Sequence, residues 1–97
     1  MIRSFKGAGT EDIFNGVNSR AARRICSHSL WHIASRKLDQ LDSVESLSEL
    51  RLPPGNRLEA LKGDRKGQHS IRVNDQWRVI FKWLDGHAHE VRIVDYH

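Results

Sequence analysis

The side chains best suited to acid–base chemistry stand together in Asp95-Tyr96-His97, at the end of the chain. An imidazole titrates close to neutral pH, so His97 is the natural proton carrier. The alternating residues 89–94 before it are typical of a β-strand. In a regular strand Tyr96 and His97 point to opposite faces, so both can serve one site only if the backbone turns after Tyr96. An alternative stays open at this point, in which Tyr96 is a surface aromatic and His97 a frayed end.

Cationic side chains are expected on one face of the strand before it. Residues 77–83 place their aromatic side chains on one face, which leaves a polar row on the other. Arginine grips phosphate with two donors, and lysine acts as a point charge. Such a row would bind a phosphodiester and stabilise the extra negative charge of a pentacoordinate phosphorus. Its members are Gln76, Arg78 and Lys82, with Arg72 and Asn74 from the preceding strand and Tyr96 from the last.

A loop in the second half of the chain adds further cations next to glycines. Lys62, Arg65 and Lys66 stand beside Gly63 and Gly67, whose small size lets the backbone approach a phosphate. The spacing of a nucleotide-binding P-loop is absent. We therefore expect this loop to extend the phosphate-binding face.

The charge balance favours a polyanionic partner. The 97 residues carry 16 Lys and Arg against 12 Asp and Glu, a net charge of +4. One of the two basic blocks, residues 50–84, coincides with the predicted strands, so we expect the sheet to bind nucleic acid. The length fits one domain, residues 1–97. With no signal-peptide pattern and no apolar run of about 20 residues, we expect a cytoplasmic protein that does not enter a membrane.

The first half is predicted to be mainly helical. From about Ser19 to Leu41, apolar residues recur every three or four positions, although the basic upstream part could be a separate piece. Residues 2–5 predict a short strand, and Thr10 can cap a brief helix. The lone Cys26 is expected to be a buried apolar residue. The apolar stripe of the long helix comprises Leu30, Ile33, Ala34, Leu38 and Leu41.

The second half changes to a period of two. Turn signals at Asn74-Asp75 and Asp85-Gly86 separate three strands, which predicts an antiparallel meander. Its aromatic face needs a cover, and the amphipathic helix supplies one. The expected fold class is therefore α+β, with N-terminal helices packed on one face of a small antiparallel sheet and the other face polar, basic and open.

Metal-dependent chemistry finds less support in the sequence. His28 and His32 are four residues apart, but the Glu of the zinc-protease motif and a third ligand are missing. Asp64, Asp75 and Asp95 lie among cations that disfavour a bound Mg²⁺. We expect a reaction that needs neither a metal nor another cofactor.

Several segments, taken in order, resemble one group of bacterial toxins. They are residues 1–5 (MIRSF), 61–65 (LKGDR), 70–73 (SIRV), 77–81 (WRVIF) and 95–97 (DYH). Together they resemble the HigB-type toxins of the RelE/ParE toxin–antitoxin superfamily. Residues 52–59 (LPPGNRLE), with NDQW at 74–77, are most similar to its GraT-like branch. The resemblance implies the microbial RNase fold of that superfamily.

The resemblance also implies a ribosome-dependent mRNA endonuclease that inhibits translation and growth. Members act in the ribosomal A site, where a 2′-hydroxyl attacks the neighbouring phosphate without a metal and leaves a 2′,3′-cyclic phosphate. By position, Lys62 and Arg78 would hold the scissile phosphate. Tyr96 would orient or help to deprotonate the 2′-hydroxyl, and His97 would act as acid or base. Gln76 stands where some HigB toxins have a catalytic-site Asn, and it keeps the amide on a longer arm.

The partners implied are the 70S ribosome with its mRNA, and a helix-turn-helix antitoxin of the HigA type. That antitoxin would neutralise the toxin and carry it to operator DNA. Two alternatives remain: a non-enzymatic inhibitor of a target such as DNA gyrase, as in the ParE branch, or a ribosome- or RNA-binding module with little catalysis. A terminal Tyr-His beside Lys62 and Arg78 favours the nuclease. The residues expected to bind RNA or the ribosome are Arg57, Arg65, Lys66, Arg72, Asn74 and Lys82.

Overall fold

The computed structural model describes residues 1–96, in which helices come first and a four-stranded antiparallel sheet follows. This arrangement confirms the α+β prediction and adds one strand to the expected meander. The helices are α1 (Ala8–Phe14), α2 (Arg20–Ile25) and α3 (Trp31–Ser43). The strands are β1 (Glu59–Ala60), β2 (Gln68–Arg72), β3 (Trp77–Leu84) and β4 (His87–Asp95), and they lie side by side in that order.

The predicted long helix is broken into two. Ser19 caps α2, because its side chain accepts a hydrogen bond from the backbone N–H of Ala22. Cys26 is extended, and a short 3₁₀ turn, His28–Leu30, leads into α3. The basic upstream part is therefore a separate piece. The stripe on α3 is also narrower than predicted, since Ile33 is 40% exposed. The buried members of the stripe are Ala34, Leu38 and Leu41.

Thr10 does not cap α1, contrary to the sequence prediction. The helix begins two residues earlier, and the fully buried Thr10 uses its Oγ1 to accept a hydrogen bond from the N–H of Ile93 at 3.1 Å. The predicted strand at residues 2–5 forms only isolated bridges to Ala88 and Val91 on β4. These contacts satisfy backbone groups along the outer edge of β4, which would otherwise be open to pairing with another chain.

The core lies between the helices and one face of the sheet. Leu38 and Leu41 from α3 pack with fully buried side chains of β3 and β4, such as Phe81 and Val91. Trp77 and Trp83 pack against this core while half-buried, as the alternation of β3 predicts. Among residues 1–96, no helix is long and apolar enough to cross a membrane, and α3, with 13 residues, is the longest.

Both predicted turns are present. Asp85 and Gly86 have φ values of 54° and 79°, the positive pair that a two-residue type I′ hairpin requires. Between β2 and β3, the side-chain oxygen of Asn74 accepts hydrogen bonds from the backbone N–H groups of Gln76 and Trp77. Asn74, whose side chain was expected to bind RNA or the ribosome, therefore shapes the turn with its side-chain oxygen.

A β-bulge sits in β4 opposite β3. Lys82 pairs with His89 and Ile80 pairs with Arg92, so β4 contains one residue more than β3 over this stretch. Glu90 has a φ of 52°, in the left-handed region. After the bulge, the even-numbered residues of β4, beginning with Arg92, share the sheet face of Ile80 and Lys82. We call this the open face, because the core lies on the other side of the sheet.

The open face is less open than predicted. Ile80 lies near its centre and is fully buried, although it is outside the main core. The guanidinium of Arg92 on β4 donates to the side-chain oxygen of Gln68 on β2 at 3.1 Å. Since β3 lies between those two strands, the arginine side chain must pass over β3 and cover Ile80.

Candidate active site

A small polar cavity of about 170 Å³ opens at one end of the open face. The turn between β2 and β3 forms one wall, and the segment that follows β4 forms another. These walls are joined where the N–H of Tyr96 donates to the carbonyl of Gln76 at 2.6 Å. The lining residues are Arg57, Arg72, Asn74, Asp75, Arg78 and Tyr96. All of these except Asp75 are residues that the sequence analysis predicted as catalytic or RNA-binding.

The guanidinium of Arg78 is the most firmly held positive charge of the cavity. Its Nη1 donates to the hydroxyl of Ser70 at 3.0 Å and to the backbone carbonyl of Arg57 at 3.2 Å. The same atom lies 3.5 Å from the carboxylate of Glu59, and the Arg78 side chain is only 15% exposed. These contacts fix the guanidinium before any ligand arrives, which is what stabilisation of a developing charge requires.

Tyr96 is held by its ring as well as by its backbone. The Cζ atom of Arg78 lies 5.2 Å from the ring centroid and that of Arg65 lies 5.9 Å away. Both distances suit cation–π contact. The hydroxyl lies 3.5 Å from the Oε1 atom of Glu59. Tyr96 therefore contacts Arg65, Arg78 and Glu59 in this structure.

Glu59 is a site residue that the sequence analysis missed. One oxygen, Oε1, contacts both the guanidinium of Arg78 and the hydroxyl of Tyr96. The Glu59 side chain is 46% exposed and can be reached by a ligand. It belongs to the two-residue strand β1, which is too short to show any periodicity. The chemical signal was a lone acid between Arg57 and Lys62 in a basic stretch.

Two predicted residues act mainly in the rim of the cavity. Arg72 forms an ion pair with the exposed Asp75, which neutralises part of its charge in the absence of a ligand. Gln76 directs its side-chain N–H to a carboxylate oxygen of Asp95 at 3.0 Å. In this arrangement the Gln76 amide supports the junction between β3 and the end of β4.

Other predicted residues lie away from the cavity. Lys62 and Lys66 are exposed on the loop before β2 and do not line it. Lys82 lies farther along the open face and pairs with Glu90 at 2.5 Å. The predicted backbone turn after Tyr96 concerns His97, which lies outside the described residues.

The structure gives no support to the competing sites. His28 and His32 are exposed, and His28 packs edge-on against Trp31 at 4.6 Å between ring centroids. Within residues 1–96, no three His, Cys, Asp or Glu side chains are grouped so as to hold a metal ion. Cys26 is buried, and burial raises the pKa of its thiol, as expected for an unreactive apolar residue.

The sequence profile of one toxin family matches nearly the whole chain. That family is described as the RelE-like toxin of the type II toxin–antitoxin system HigB, and the match covers residues 3–97. This chain belongs to the HigB-like toxin family. The resemblance inferred from the short segments is thereby confirmed.

Two named relatives support the family assignment. The chain is 51% identical to Toxin HigB-1 of Vibrio cholerae over 65 residues, which are 67% of this chain and 68% of that protein. It is 32% identical to Endoribonuclease HigB of Proteus vulgaris over 102 aligned positions, which cover both chains in full. The second relative links this HigB-like chain to an enzyme that cuts RNA.

Solved structures confirm the RelE-like fold. YafQ from E. coli, crystallised as the mutant H87Q, has a TM-score of 0.56 and 19% identity, with 98% of this chain and 93% of that chain covered. The toxin–antitoxin complex YoeB–YefM from Staphylococcus aureus has a TM-score of 0.53 and 15% identity, with 100% and 98% covered. At these identities the likeness concerns the fold alone.

Proposed function

We propose that this HigB-like toxin is an endoribonuclease that cleaves mRNA in the ribosomal A site and thereby inhibits translation and growth. The observation that carries the proposal is the meeting of Glu59, Tyr96 and Arg78 at a cationic cavity. One carboxylate oxygen of Glu59 lies 3.5 Å from the fixed guanidinium of Arg78 and 3.5 Å from the phenol oxygen of Tyr96. These are the groups that transfer of a phosphoryl centre to a neighbouring hydroxyl needs.

The proposed reaction starts with the 2′-hydroxyl of the nucleotide on the 5′ side of the cut. Glu59 accepts its proton, either directly or through the hydroxyl of Tyr96, while the 2′-oxygen attacks the adjacent phosphorus. The new O–P bond forms as the bond to the 5′-oxygen of the next nucleotide breaks. His97 donates a proton to that leaving oxygen. The products are a 2′,3′-cyclic phosphate and a 5′-hydroxyl.

The arginines supply the positive charge for this step. In this proposal Arg78 binds a non-bridging phosphate oxygen, and Arg57 and Arg72, which line the same cavity, add positive charge. Arg72 must exchange Asp75 for phosphate on binding. Charge-assisted hydrogen bonds of this kind are the strong ones in proteins. We propose that three guanidiniums make a metal unnecessary.

The shape of the cavity supports dependence on the ribosome. Its volume of about 170 Å³ and open mouth fit a phosphate group and little more. In-line attack requires the 2′-oxygen, the phosphorus and the leaving oxygen to be aligned, a geometry worth several orders of magnitude in rate. Since the cavity is too small to bend a strand by itself, we propose that the A site presents mRNA already bent.

An antitoxin is the second proposed partner. The family is one of type II toxin–antitoxin systems, and YoeB–YefM, which has the same fold, was solved as a toxin–antitoxin complex. We propose a helix-turn-helix antitoxin of the HigA type that neutralises the toxin. Operator DNA would be bound by the antitoxin and not by this chain.

Primer extension on mRNA, with and without translating ribosomes, tests the proposed function. The expected result is new 5′ ends only when ribosomes are present, and their loss with His97→Ala. Intact mRNA in growth-arrested cells together with DNA damage would instead favour inhibition of a target such as gyrase. Cleavage of free mRNA at full rate would contradict the dependence on the ribosome.

A further inference from the structure

A second pair of arginines lies on the open face next to the cavity. Arg92 crosses β3 and donates to Gln68 at 3.1 Å, so its guanidinium is held over the sheet. Arg65 lies on the loop before β2, and its Cζ atom is 5.9 Å from the ring of Tyr96. Arg65 thus contacts a residue of the cavity from outside, since it does not line the cavity itself.

The two guanidiniums approach the same part of the open face, because Gln68, which holds Arg92, follows Arg65 by only three residues at the start of β2. Burial lowers the pKa of Arg92, and the positive charge of Arg65 lowers it further, while Glu90 opposes the shift. Glu90 itself is paired with Lys82 at 2.5 Å. The ion pairs within residues 1–96 join Arg72, Arg78 and Lys82 to acids and include neither Arg65 nor Arg92. A bound anion would relieve this repulsion.

We infer that Arg65 and Arg92 form a second phosphate subsite, which holds the mRNA phosphate next to the one that is cut. This inference rests on the proposed function, because it extends the same substrate along the same face. Arg92 and Tyr96 lie on one strand face, with about 13 Å between their Cα atoms at the rise of a β-strand. An RNA strand that enters the cavity from this side therefore crosses the Arg65–Arg92 pair.

The fixed guanidinium of Arg92 lets the subsite position the RNA strand. Because Gln68 holds one side of the guanidinium, the remaining donors keep one orientation, and less side-chain entropy is lost when phosphate binds. The subsite would therefore determine where the strand lies and so which phosphate reaches Arg78. It positions the substrate and takes no part in proton transfer.

Neutral methylphosphonates in the mRNA test this assignment. Ribosomes are programmed with short mRNAs that carry one methylphosphonate at each phosphate on either side of the cut. We expect one neighbouring position to slow cleavage by the wild type about tenfold. Arg65→Gln and Arg92→Gln should each slow cleavage of unmodified mRNA about tenfold and lose the response at that position only. If the substitution and the methylphosphonate slow cleavage independently at every position, so that their rate factors multiply, the two arginines do not contact any one of those phosphates and the subsite does not exist.

Two controls keep the outcome clear. Arg20→Gln with Arg24→Gln removes the same charge from exposed positions on α2 and should leave cleavage unchanged. Arg92 also covers Ile80, so Arg92→Met keeps the apolar cover without the charge and should behave like Arg92→Gln. Arg65→Gln disturbs no such cover.

A binding measurement separates this inference from the proposed function. If the wild type cuts no mRNA, the proposed function fails, and the subsite is then judged from binding of a short single-stranded RNA at several salt concentrations. The logarithm of the binding constant falls linearly with the logarithm of the salt concentration. This slope should be steeper for the wild type than for the Arg65→Gln/Arg92→Gln variant by about 0.7, the value for one phosphate contact. Equal slopes would overturn the subsite. So would weaker binding of the variant to ribosomes without mRNA, because the phosphate would then belong to ribosomal RNA.

Discussion

The carboxylate of Glu59 and the hydroxyl of Tyr96 lie 3.5 Å apart although the two residues come from opposite edges of the sheet. Glu59 is on β1 and Tyr96 follows β4, so their contact passes over the ends of β2 and β3. It joins residues that are 37 positions apart in the sequence. Arg78 lies beneath this contact and touches both partners. The sheet thus brings the acid, the phenol and the cation together.

Glu59→Gln should slow mRNA cleavage by about 10² to 10⁴-fold, the usual contribution of a general base. The amide keeps the size of the side chain but cannot take the proton of the 2′-hydroxyl. The rate is measured in single turnover with saturating ribosomes. Glu11→Gln, an exposed acid on α1, serves as the matched control and should cleave normally. A Glu59→Gln variant of wild-type rate would remove the proposed base.

Two substitutions of Tyr96 separate its ring from its hydroxyl. Tyr96→Phe keeps the contacts with Arg78 and Arg65 but loses the contact with Glu59, and we expect cleavage about tenfold slower. Tyr96→Ala also removes both ring contacts and should cost about a further tenfold. Cleavage rates of the two variants decide the question. Equal losses would mean that the ring contacts do not contribute.

Arg78→Lys should reduce the rate of cleavage by about 10² to 10³-fold, the cost of removing one preorganised donor from a developing charge. Lysine offers one nitrogen, so it cannot hold Ser70 and the Arg57 carbonyl with one nitrogen and bind phosphate with another, as arginine can. Lys62→Ala should have a smaller effect, because Lys62 is exposed and does not line the cavity. Ribosome binding is measured alongside and should change less than cleavage for both. Equal damage from the two variants would contradict this geometry.

We expect His69 to make the stability of the fold depend on pH. Its Nδ1 atom is buried without a hydrogen-bond partner in residues 1–96, and its ring stacks on Phe81 at 6.0 Å. Burial lowers its pKa, so below pH about 6.5 the unfolded chain binds more protons than the folded one. The free energy of unfolding should therefore fall as the pH drops from 7.5 to 5.5.

Urea unfolding at these two pH values should show a smaller fall for His69→Phe than for the wild type. Some fall should remain, because burial and Arg3 also lower the pKa of His87. His32→Phe, at an exposed position of α3, is the control and should keep the wild-type dependence. An unchanged fall in His69→Phe would show that His69 is not responsible.

Most of the sheet could be predicted because its signals are local. The alternation of β3 and the Asp85-Gly86 turn depend on neighbouring residues alone, and both are confirmed. The sequence left open whether the basic upstream part is a separate piece, and it did not place the break after Ile25, because apolar residues continue at helical spacing across it. Glu59 was not predicted as a site residue because its position depends on the pairing of β1 with β2, and a two-residue strand has no periodicity that would indicate this pairing.

The candidate site was half predictable for the same reason. Period two placed Arg78 and Tyr96 on one face, and the structure brings them into contact. The same rule could not show that Lys82 is engaged by Glu90, because that pair depends on the bulge. It also could not show that the side-chain amide of Asn74 is hydrogen-bonded within the turn, or that the amide of Gln76 is hydrogen-bonded to Asp95 at the junction of β3 and β4.

The bulge at Glu90 also determines where this toxin can change in length. The bulge takes up the extra residue at position 90, so Arg92 and Tyr96 point to the same face of the sheet as they would in a hairpin without the extra residue. Loss of Glu90 would leave a regular strand with the same side chains on the open face, whereas loss of a residue between positions 91 and 95, with the bulge kept, would turn Tyr96 toward the helices. Among relatives of this chain, length variation within β4 should therefore be confined to the bulge. Where a residue is kept there, its left-handed backbone favours glycine or asparagine.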